Sequence, residues 1–121
     1  MKKWVQTALE AAEQAKAARL KAAEIAHSLA EVTHALEVTQ ARVERALIKR
    51  SGGEKELAPT AADRERIFVL AREADEQTTT LRQKQANLRL ALEREKAALR
   101  YWEQILDIAR WALQAGASTE A

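Results

Sequence analysis

The two histidines of the chain, His27 and His34, each follow a glutamate by three residues, Glu24 and Glu31, inside a near-exact repeat, AEIAHSL then AEVTHAL. Residues seven apart on a helix share a face, so both imidazoles project from one side, with Glu31 between them. Imidazole with carboxylate suits zinc and similar ions. An antiparallel meeting of two such helices near Ala30 would bring His27 of one copy close to His34 of the other. Four imidazoles at a two-fold axis could then hold an ion at nitrogen distances of about 2.0–2.1 Å. His27, Glu31 and His34 are therefore the candidate metal ligands. The pattern departs from carboxylate-bridged di-metal bundles, where the Glu-x-x-His units come from different helices and two further helices each add a glutamate. Here both units lie on one segment. The stronger expectation is a heptad beat that places surface Glu–His pairs and two half-buried histidines on a stripe. If those histidines meet at an interface, acidification should weaken it.

A second chemistry-bearing pattern is the heptad-spaced Arg82, Arg89 and Lys96 within LRQKQANLRLALEREKAALR. A basic stripe can track phosphates in a salt-sensitive, sequence-blind manner. Charges at such positions more often solvate a helical seam or pair with acids across it, here Glu24, Glu31 and Glu37. With 20 basic and 18 acidic residues the formal net charge is only +2, which does not announce a nucleic-acid binder. The chain has no cysteine, so thiolate chemistry and disulfides are excluded. It also has no glycine-rich phosphate loop and no Ser-His-Asp grouping. The expectation is a non-enzymatic protein with no cofactor.

What positions these residues is helix. From Lys2 to Arg50 there is neither Gly nor Pro, and good helix formers fill the exposed positions. At about 1.5 Å per residue, a helix over 2–50 would span about 70 Å. The segment SGGEKELAPT carries the only proline and two of the three glycines, predicting a loop over 51–60, with Gly52 suited to a left-handed helix end. Thr60 and Asp63 mark a restart. A second helix is predicted over 61–115, unbroken until Gly116, with a short tail over 116–121. The whole is read as a single helical-hairpin domain.

Apolar residues alternate in spacings of three and four along both helices, the signature of a coiled-coil seam. In the first helix the seam runs from Trp4 through Ala11, Ala15, Ala18, Ile25, Leu29, Val32, Leu36 and Thr39 to Ala46. In the second it runs from Ile67 through Ala74, Thr78, Leu81, Leu88, Leu92, Leu99, Trp102, Leu106 and Ala109 to Leu113. Folding back between Ala58 and Pro59 sets Ala15 opposite Trp102, Ala18 opposite Leu99, Ile25 opposite Leu92, Leu29 opposite Leu88 and Thr39 opposite Thr78. Small against large keeps each layer even in volume. Gln85 and Glu95 interrupt the seam, and Glu95 can reach Lys21. Trp4, Trp102 and Trp111 fall at the open end, where bulky rings can fill space between helices. The fold class is thus all-α, an antiparallel coiled-coil hairpin.

A second apolar stripe lies away from the seam, through Leu9, Leu20, His27, His34 and Val38 on the first helix and Leu90, Tyr101, Ile108 and Trp111 on the second. An isolated hairpin has no need of it. It predicts a homodimer, two hairpins forming a four-helix bundle, with Leu20, His27, His34, Leu90, Tyr101, Ile108 and Trp111 at the interface. The expected function is a structural or adaptor coiled-coil module that self-associates and presents a long helical surface to a protein partner. The alternatives are a metal-binding bundle using His27 and His34, and a basic rod docking on nucleic acid through Arg82, Arg89 and Lys96. No apolar run suggests a membrane span, and the expected location is cytoplasmic.

Overall fold

The computed structural model describes residues 2–120, with side chains described as far as Gly116. Four helices follow in order: α1 (Lys2–Ser51), α2 (Glu54–Leu57), α3 (Ala61–Ala74) and α4 (Glu76–Glu120). No strand occurs among the described residues. The contacts divide the chain into two compact units. One combines the chain up to His27 with the chain from Arg89 onward, and the other is Ser28–Leu88.

In the first unit the core is made of the smallest side chains. Ala11, Ala15, Ala18 and Ala109 are all buried, while Ile25, Leu92, Leu99, Trp102 and Leu106 are half-buried. Ion pairs tie Arg19 to Glu103 at 3.6 Å and Lys21 to Glu95 at 3.5 Å. The numbering rises on one helix as it falls on the other, so the helices run antiparallel, as a hairpin requires. Alanine at the contact lets the backbones approach closely, and the larger rings and branched chains opposite fill the layer.

In the second unit Val32, Leu36 and Ala58 are buried, and so are Thr39 and Thr78. Gln85 Nε2 donates to Thr33 Oγ1 at 3.0 Å, Arg42 donates to Gln77, and Arg72 Nη1 donates to Glu44 Oε1 at 2.7 Å. These pairs again run antiparallel. A polar residue at a seam position is tolerated when it finds a partner, and Gln85 does so through Thr33.

The turn follows its sequence signals in part. Gly52 has φ 91° and Gly53 φ 143°, a region that disfavours any side chain. Gly53 N–H donates to the Ile48 carbonyl at 3.0 Å and closes α1. Thr60 Oγ1 accepts from the Asp63 N–H at 3.1 Å and starts α3. The predicted loop over 51–60 is less irregular than expected: α1 reaches Ser51, and α2 forms a single turn within the loop. Arg64 Nη1 reaches back to the Ala58 carbonyl at 3.0 Å.

Two boundaries differ from the sequence reading. The helix predicted over 61–115 is interrupted at Asp75, whose φ −76° and ψ 118° are extended. Its carboxylate Oδ2 accepts from both the backbone N–H and the hydroxyl of Thr78, each at 2.8 Å, while its own N–H donates to the Ala71 carbonyl at 3.1 Å. One residue therefore ends α3 and caps α4. The second difference is at Gly116, which does not stop the helix. The backbone continues helically to Glu120, because a single glycine costs a helix only about 1 kcal/mol when its neighbours favour the helix. The seam itself is buried or half-buried at the predicted positions, except at Ala46 and Ala74. Leu47 rather than Ala46 is half-buried on α1, and Ala74 is the last residue before the interruption.

Candidate interaction surface

Several large apolar side chains that the seam leaves behind are solvent-exposed. On the first unit's share of α4 these are Leu90 (49 %), Tyr101 (55 %), Ile108 (52 %) and Trp111 (70 %). On its share of α1 they are Val5, Leu9 and Leu20, the last 59 % exposed. Tyr101 is held in place: its ring meets that of Trp102 edge-to-face, with centroids 5.0 Å apart and planes at 76°. Trp102 is a half-buried seam residue, so the exposed phenol stands on a ring anchored within its unit. Trp111, expected to help fill the open end, is instead the most exposed of the large apolar side chains. Its helical position points away from the seam, whereas Trp4 and Trp102 lie on the seam and are half-buried.

The histidine repeat is divided between the units. Glu24 and His27 belong to the first, Glu31 and His34 to the second, and all four side chains are exposed. The half-burial expected for the imidazoles is absent from the chain, because their heptad position lies opposite the seam. Among the described residues there is no group of three or more His, Cys, Asp or Glu placed to hold a metal ion. Of the basic set, Arg82 belongs to the second unit, Arg89 and Lys96 to the first, and all three are exposed.

Three features of the surface escaped the sequence reading. Val69 and Leu70 on α3 are exposed, Leu70 at 65 %, and neither belongs to the seam or to the second apolar stripe read from the spacing. Arg72 bridges Glu44 and Glu65, the latter at 2.9 Å, and its Nε is buried without a partner. The fold also moves the ionisation of Asp75. The Thr78 backbone N–H, then the Thr78 hydroxyl, hold its carboxyl below the ordinary value of 3.8, with a smaller contribution from Arg42. Hydrogen bonds donated to a carboxylate favour its charged form. By contrast, Glu95 lies where its sequence position suggested, paired with Lys21 and only 21 % exposed.

No helix among the described residues is long and apolar enough to cross a membrane. Comparison of the chain with protein-family models, with curated proteins and with solved structures finds no match.

Proposed function

We propose that the chain is a non-enzymatic structural or adaptor module that self-associates through exposed helical faces and presents the remaining helical surface to a protein partner. The observation that carries this reading is the row of exposed Leu90, Tyr101, Ile108 and Trp111 on one helix, at spacings that return to a single face. Large apolar side chains gathered on one exposed face mark interaction sites, whereas scattered single residues do not. Sedimentation of the 13.5 kDa chain across micromolar concentrations tests the reading. A species of twice the chain mass, or a reversible approach to it, is expected. A monomer at every concentration contradicts it.

A further inference from the structure

The self-association proposed above leaves open which face meets which, and α4 itself carries the information to decide. We infer that the occupant of the α4 face is the same face of a second copy, packed antiparallel about a two-fold axis lying between Tyr101 and Gln104. The inference rests on the self-association reading and adds the face, the direction and the register.

The first step is area. Leu90, Tyr101, Ile108 and Trp111 are each about half exposed or more, and together expose on the order of 400 Å² per chain. Two copies bring roughly 800 Å² from these side chains alone. With the intervening Arg94, Ala97 and Gln104, all exposed, the contact reaches the roughly 1,000 Å² that a specific interface requires. The row Leu90, Arg94, Ala97, Tyr101, Gln104 and Ile108 alternates spacings of four and three, so it forms a second coiled-coil seam on the outer side of α4.

The second step is shape. With the axis between Tyr101 and Gln104, Ala97 lies opposite Ile108 of the partner copy and Tyr101 opposite its Gln104, small or slender against large. Arg94 lies over the ring of the partner copy's Trp111, where a guanidinium is attracted to the indole face.

The third step is charge, and it separates this register from its neighbours. The polar flank of the seam carries Arg100 and Asp107, both exposed. Flanking residues in an antiparallel pair meet their own heptad position on the other helix, a relation already visible in this chain where Arg42 meets Gln77. In the inferred register Arg100 meets Asp107 of the partner copy, and the two-fold repeats the pair. A slip of one heptad in one direction sets Asp107 against Asp107, and in the other sets Arg100 against Arg100. Like charges at that position disfavour both slips. The opposite flank, Ala91, Ala98, Ile105 and Ala112, is apolar and half-buried, and adds no conflicting charge.

The chain contains no cysteine, so introduced thiols report without background. Ala97→Cys and Ile108→Cys chains, mixed and allowed to exchange, should be joined by a short thiol crosslinker at least tenfold faster than either variant alone. In either variant alone, the matching thiols of the two copies lie roughly 16 Å apart along the axis. Independently, Arg100→Asp or Asp107→Arg should each weaken association about tenfold by setting like charges together, and the double reversal should restore it. Both positions are exposed, so folding is not the readout. A wild-type chain that sediments as a monomer would defeat the self-association reading itself. A dimer that fails to crosslink between positions 97 and 108, shows no charge rescue and instead dissociates on Leu9→Glu or Leu20→Glu would overturn this inference alone.

Discussion

At the residue scale, Asp75 shows how one side chain sets local structure. Its carboxylate takes both donors of Thr78, satisfying a backbone N–H left open at the start of α4, and Thr78 is thereby fully buried without an unpaired hydroxyl. Because these donors hold the folded-state ionisation below 3.8, the charged form favours the fold. The resulting stability is complete above the unfolded value and disappears as pH falls through the lower folded value. Asp75→Asn keeps an acceptor at the cap but cannot titrate. Thermal melts from pH 7 to pH 2 should therefore show the wild type more stable than the variant near neutrality, with the gap closing below pH 3.8. A gap of constant size down to pH 2 would mean that the Thr78 bonds do not depend on the charge. Arg72 works differently. It carries two carboxylates at once, Glu44 and Glu65, and its planar fork suits that geometry better than a lysine would.

At the element scale, the alanine contact of the first unit depends on what is missing. Ala11 and Ala109 have no exposed surface, so a larger side chain there has to enter the packed contact and cannot turn to solvent. Ala109→Leu should lower stability by about 1–3 kcal/mol through overpacking. Ala12→Leu, one position along on the exposed side, should change it by less than about 0.5 kcal/mol. Denaturant melts of both variants measure the contrast, and equal losses would remove close backbone approach as the reason for the alanines. The same seam explains what could be read from sequence. Its period is written in residue types that burial alone selects, so Val32, Leu36, Thr39 and Thr78 are found where the spacing puts them. The interruption at Asp75 was not legible, because it uses neither Gly nor Pro. An aspartate competes with the helix by accepting from the backbone N–H three residues on, here that of Thr78, and most aspartates in a helical sequence do not do so. Gly116 is the converse, a residue that signals a stop in isolation yet lies inside α4. The exposed apolar row was legible at Leu90, Tyr101, Ile108 and Trp111 because they break a polar face. Val69 and Leu70 were not, since a continuous apolar run carries no periodicity to say which of its members face outward.

At the scale of the whole molecule, net charge and exposed apolar area pull in opposite directions. A formal charge of +2 on 121 residues supplies little repulsion between copies, and a balanced surface of both signs gives no long-range field to keep them apart. An exposed row containing Trp111 and Ile108 then has a driving force for association with only weak opposition. Association that favours the folded chain must show in its melting, because a partner that binds only the folded state raises stability by mass action. Each tenfold rise in concentration above the dissociation constant should therefore add about 1.4 kcal/mol per associating event. The melting temperature should climb by a few degrees per decade, and Ile108→Glu should abolish the climb without lowering the dilute-limit value, since Ile108 is already 52 % exposed in the single chain. A wild-type melting temperature that stays flat from micromolar to millimolar would show that this apolar row does not contribute to association under those conditions. Salt separates the two contributions further: the apolar contact is indifferent to ionic strength, whereas any part carried by exposed charges such as Arg100 and Asp107 weakens as the screening length shortens. The concentration slope should thus persist at high salt while the dissociation constant rises modestly.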